Sequence, residues 1–179
     1  PWVGRRRPQD ALSTIKLHRE PPSMFPPQFL TVERIARGVE ITSKKRLLEV
    51  LAGLLSSAQP QLRTDTILDR LLERERLGST GLGHGVALPH ARVQEAGEAI
   101  GAFVQVHQPV DFDAIDEQPV DLAFAMLVPE AATEVHLQLL AQLAGLFGEK
   151  EFRERLRQTD EPAALLGLLL GGANLTPDG

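Results

Sequence analysis

Arg74-Glu75-Arg76-Leu77-Gly78-Ser79-Thr80-Gly81-Leu82-Gly83-His84-Gly85-Val86-Ala87-Leu88-Pro89-His90-Ala91 is the stretch on which the reading of this chain turns. It leaves the charged end of a helical pattern and places four glycines in eight residues, so the backbone can turn tightly and approach another group closely. No Gly-Lys-Ser/Thr follows, which excludes a Walker A loop. The GxGxG spacing of Gly81, Gly83 and Gly85 leads into a strand instead of opening a helix, which argues against a dinucleotide fingerprint. Pro89 fixes its own φ and holds Leu88 extended, so His90 is presented from a stiff backbone at the end of that strand. Rigid presentation suits a nucleophile.

Working outward, the pattern changes period. Upstream, Leu47, Leu48, Leu51, Leu54 and Leu55 recur at helical spacing behind a Thr42-Ser43 cap, and Ile67, Leu68, Leu71 and Leu72 predict a second helix ended by Gly78. Residues 86–88, 100–106 and 120–128 are apolar, β-forming runs separated by Pro and Gly, and they predict strands. Downstream, Val135, Leu139, Leu140, Leu143 and Phe147 predict a long helix capped by Thr133, with shorter helices at 151–158 and 161–170. Helices on both sides of a strand-rich middle imply an α/β fold, a three-layer α/β/α sandwich.

The chain has 179 residues, 42% of them hydrophobic, which supports one domain with a sizeable core. It has no cysteine, so disulfides, thiolate metal sites and cysteine nucleophiles are excluded and a reducing compartment is expected. Aromatics at 4% and a net charge of −5 argue against nucleic-acid binding. No apolar run approaches the roughly 20 residues that span a bilayer, so no membrane insertion is expected. Residues 1–29 carry five Lys/Arg against two acids and six of the thirteen prolines, leaving the remainder at −8. They are read as a disordered or extension arm, without the apolar centre of a secretory signal. The domain is expected at 30–172, with a flexible tail at 173–179.

The chain resembles the enzyme IIA domains of the bacterial phosphotransferase system, in the mannitol/fructose class and nearest the nitrogen-regulatory branch. The resemblance rests on residues 74–91, above all Gly78-Ser79-Thr80-Gly81-Leu82-Gly83 and Val86-Ala87-Leu88-Pro89-His90. It continues through Phe112-Asp113-Ala114-Ile115-Asp116, Gln118-Pro119-Val120-Asp121-Leu122, Leu127-Val128-Pro129 and His136-Leu137. It implies a mixed central sheet flanked by helices, no cofactor and no metal. It also implies that His90 accepts a phosphoryl group from a phosphohistidine carrier, an HPr-like protein.

A neutral imidazole nitrogen can attack phosphorus, and the transfer then needs positioning and screening of about two negative charges. Arg74 lies close to the apolar stripe of its helix, from which its guanidinium can reach over the glycine loop; the resemblance assigns it to phosphate charge stabilisation. Ser79, Thr80, Gly81, Gly83 and Gly85 are expected to form a phosphate loop through hydroxyls and amides. His136 falls in the first turn of its helix, where the positive dipole end favours a neutral imidazole that donates to phosphate. His84 and His90 stand roughly 20 Å apart along an extended chain, too far for one metal. Asp111, Asp113 and Asp116 are carboxylates around a turn, which read as caps and solvated loops better than as a hydrolytic site. Two functions are expected from the resemblance. One is a cytoplasmic phosphocarrier that regulates protein partners in nitrogen, potassium or carbon metabolism according to its phosphorylation state. The alternative is a sugar-transport relay that passes phosphate to a fructose- or mannitol-type IIB domain.

Overall fold

Val120–Pro129 is apolar at nearly every position, as a strand covered on both faces must be, and the sheet is built around it. The computed structural model describes residues 25–171. In it this run, β6, pairs antiparallel with β5 (Ile100–Val110), setting Phe103 opposite Phe124 and Ala102 opposite Ala125. Its other edge takes two short strands in parallel. Of these, β3 (Val86–Ala87) lies against Leu122 and Ala123, and β4 (His90–Val93) against Met126 to Pro129. On the outer edges, β1 (Ile35–Val39) adds parallel to β5 and β2 (Gly81–Gly83) adds antiparallel to β3. The result is the mixed sheet that was expected.

Alternation along β6 sends Ala123, Ala125 and Leu127 to one face and Leu122, Phe124 and Met126 to the other. The first face is covered by α1 (Lys44–Ser56) and α2 (Thr64–Arg76) through Leu47, Leu51, Leu55, Ile67 and Leu71. The second is covered by α3 (Thr133–Gly148), α4 (Lys150–Gln158) and α5 (Pro162–Gly171) through Leu139, Leu143, Phe147, Phe152, Leu156 and Leu165. The α/β/α layering agrees with the sequence reading. Ser43 caps α1, its hydroxyl accepting from Arg46 N at 3.1 Å. No helix among the described residues is long and apolar enough to cross a membrane.

Three expectations need correction. His90 opens β4 instead of ending the preceding strand, because Pro89 has no N–H for the ladder and interrupts the edge between β3 and β4. The Pro89 carbonyl still accepts from Met126 N at 2.9 Å, so the interruption is one step wide. The residue flanking α3 is Ala132, which provides no side-chain cap; His136 N nonetheless donates to Ala132 O at 3.1 Å, in the first turn as expected. The arm was drawn too long. Phe25 and Phe29 are buried and stacked at 4.9 Å, and Phe29 stacks on Phe124 at 5.8 Å. Buried Arg34 ties this segment down, donating to the carbonyls of Gly101, Gln28 and Phe29. The arm's residues 1–24 and the tail lie outside the described residues.

Candidate active site

The site forms where α2 ends, β4 begins and α3 takes its first turn. These elements meet because β4 is short and sits beside the C-terminal half of β6, which leads directly toward α3. Between them lies an open cleft of about 410 Å³ lined by Arg70, Arg74, His90, Arg92 and His136, with Glu73, Leu77 and Ala91 completing it. The two imidazole centroids are 5.2 Å apart with the rings inclined at 60°. Residues 46 positions apart in the chain thus share one pocket, and Arg74 joins them.

His90 Nδ1 lies 2.8 Å from the Leu88 carbonyl oxygen. A carbonyl oxygen only accepts, so Nδ1 carries the proton and Nε2 keeps its lone pair. Burial holds His90 below the usual histidine range, and Arg74 adds to this while the Leu88 bond and Glu75 oppose it. His136 is buried, and its Nδ1 has no hydrogen-bond partner. Burial first, then His90, Arg92 and Arg74, push its pKa down to about 4. Both imidazoles are therefore neutral near pH 7. Arg74 Nη1 donates to the Gly78 carbonyl at 2.8 Å, which holds the guanidinium at the C-terminal end of α2. Leu77, exposed to 86%, stands at the rim of the cleft.

The glycine loop does not enter this cleft. Ser79 Oγ donates to Phe112 O at 2.8 Å and accepts from Gly81 N at 3.1 Å. Thr80 is buried, with its N–H and its hydroxyl both directed to the Glu75 carboxylate, which Lys44 Nζ approaches at 2.9 Å. The hydroxyls expected to meet phosphate are thus spent within the protein. The glycines permit close packing: a Cβ on Gly81 would meet Ala114 Cβ at 2.7 Å, and one on Gly85 (φ +79°) would meet Arg157 and Asp121 at 2.6 and 2.7 Å. Sequence reasoning also passed over Arg70 and Arg92. The His90-x-Arg92 spacing was the available signal for the second, because alternate residues of a strand face the same way.

Among the described residues no group of three or more His, Asp or Glu side chains is arranged to hold a metal ion. What the cleft offers is a lone-pair nitrogen on a fixed ring, a second neutral imidazole and several guanidiniums, a set suited to a phosphoryl group.

Residues 28–171 match the family model described as phosphoenolpyruvate-dependent sugar phosphotransferase system, EIIA 2. A nitrogen regulatory protein of Pseudomonas aeruginosa is 44% identical over 147 residues, covering 82% of this chain and 96% of the relative. The crystal structure of nitrogen regulatory protein IIA-Ntr from Neisseria meningitidis is 42% identical with a TM-score of 0.75, over 79% of this chain and 96% of that one. IIA mannitol from Escherichia coli, at 22% identity and a TM-score of 0.66 over 78% and 98% of the two chains, shares the fold. The family match and a relative of this identity across nearly its whole length agree with the geometry of the cleft: the chain belongs to the EIIA type 2 family of the phosphoenolpyruvate-dependent phosphotransferase system.

Proposed function

We propose that this chain is a phosphocarrier whose acceptor atom is His90 Nε2 and which regulates partner proteins according to its phosphorylation state. The observation that carries this reading is the bond between His90 Nδ1–H and the Leu88 carbonyl, which leaves Nε2 as the nucleophile in a cleft with cations. In the transfer, the Nε2 lone pair forms a bond to phosphorus while the N–P bond of the donor phosphohistidine breaks, its electron pair returning to the donor imidazole. The proton stays on Nδ1, donated to the Leu88 carbonyl. No proton has to leave His90, so the step needs positioning and charge screening alone. Arg74 turns from the Gly78 carbonyl to the phosphoryl oxygens, and neutral His136 donates to one of them, which satisfies a ring whose hydrogen bonding is otherwise incomplete.

The donor is an HPr-like histidine carrier. The regulatory reading is preferred to the sugar relay because relatives at 44% identity bear the name nitrogen regulatory protein, whereas a fructose-specific EIIA component matches at 35%. The compartment is the cytoplasm, where phosphoenolpyruvate-driven carriers work. Phosphorylation adds about two negative charges to the cleft, so partners that dock over it distinguish the two states. The test incubates the chain with a phosphoenolpyruvate-driven carrier and maps acid-labile phosphate. His90→Ala is expected to lose all label and keep its melting temperature; label persisting on that variant refutes the assignment. Capture of the same protein partners by phosphorylated and unphosphorylated chain equally well would return the relay to first place.

A further inference from the structure

The three arginines of the cleft are in different states. Arg70 Nη1 stands 3.5 Å from the Glu73 carboxylate, and Arg74 is held by the Gly78 carbonyl. The Arg92 guanidinium has no hydrogen bond and no ion pair among the described residues. Its place is set by β4. His90 and Arg92 are alternate residues of that strand, so both side chains leave the same face about 7 Å apart. Both line the same cleft as His136, and the Arg92 charge is felt at the His136 ring. On a body whose charge is −8, a guanidinium without a carboxylate beside two neutral imidazoles is unspent positive charge, and no packing role claims it.

We propose that Arg92 is a second guanidinium ligand of the phosphoryl group, engaging its oxygens once the group has reached His90 Nε2. This rests on the reading of His90 as acceptor. The guanidinium fork matches phosphate oxygens in pairs, and a flexible side chain from the adjacent strand position can close on them without moving the backbone. The group arrives with its charge and Arg92 has no competing partner, so the contact exists only in the phosphorylated protein. Its consequence is therefore on equilibrium: Arg92 biases phosphoryl exchange toward this chain and away from the carrier, and unlike Arg74 it gives up no contact within the protein to do so.

The experiment equilibrates wild type, Arg92→Gln and Arg92→Lys with a histidine phosphocarrier held at known ratios of phosphorylated to free form. Phosphate on each chain is then quantified and its position mapped. Arg92 is exposed, so all three chains are expected to melt alike. The Gln variant should shift the exchange constant toward the carrier about five- to tenfold, the Lys variant should recover part of it, and the difference should shrink at high salt. An exchange constant unchanged in Arg92→Gln overturns the role, including where the carrier KM rises, since that marks a docking contact. Absence of label on His90 in wild type overturns the acceptor reading and the Arg92 role together, a result seen before any variant is compared.

Discussion

His136 owes its protonation state to its company: a buried ring beside a second imidazole and two guanidiniums binds a proton weakly, with a pKa of about 4. The unfolded chain binds that proton near 6.5. Between the two values the unfolded state holds more protons, so stability rises with pH across this window and is fully present above it. Acidification from pH 6.5 to 4 should therefore cost up to about 3 kcal/mol at this residue. His136→Gln should flatten that part of a urea-midpoint-against-pH profile, and an unaltered slope would show that the ring is not desolvated. For transfer, His136→Ala should slow phosphorylation by about 10²–10³-fold, the scale of one lost preorganised donor, with Gln restoring part. A full rate in the Ala variant would leave His136 as packing only. His90, His136 and Arg74 were named through the family resemblance, while the proline, the helix start and the charged helix end placed them only on their elements; the structure brings the three to one cleft. Arg92 was passed over because the four residues of β4 are too few to be read as a strand, and without the strand its spacing from His90 does not place it on the same face.

Among the elements, the loop between α2 and β3 shows how one sequence signal serves a purpose other than the obvious one. Glycines and hydroxyls predicted phosphate contact, yet Thr80 is anchored on Glu75 and Gly81 lies against Ala114. Thr80→Val should cost about 1–3 kcal/mol, because it removes a hydroxyl donor from a buried carboxylate. It should leave the transfer rate within about threefold of wild type; a far larger loss would return the loop to the site. Gly81→Ala has to push against backbone and side chain of Ala114, and a destabilisation of about 1–3 kcal/mol is expected in chemical denaturation. Helices were readable throughout because Leu47, Leu51 and Leu55 or Leu139, Leu143 and Phe147 repeat a full face. The edge strands β1 and β4 escaped notice: Ile35–Val39 holds Arg37 and Gly38, and the four residues of β4 are too few to show a period.

For the whole molecule, the sandwich depends on a segment that looks like linker. Pro26 and Pro27 disguise the two phenylalanines that flank them, and burial of Phe25 and Phe29 became visible only once β5 and β6 supplied the surface they cover. A chain beginning at Leu30 should therefore be less stable than one beginning at Met24 by at least about 3 kcal/mol, judged from two lost aromatic contacts. Equal melting temperatures would mean that the segment contributes nothing. The sheet that receives these rings also places β4 against β6, and with it His90 at the mouth of the cleft. The proposed acceptor there is one atom, His90 Nε2. Phosphorylation of ¹⁵N-histidine-labelled chain by a phosphoenolpyruvate-driven carrier, followed by long-range ¹H–¹⁵N correlation of the imidazoles, should show the phosphoryl group on Nε2 of His90 with Nδ1 still protonated. A phosphoryl group on His90 Nδ1, on His136, or on neither ring would contradict it.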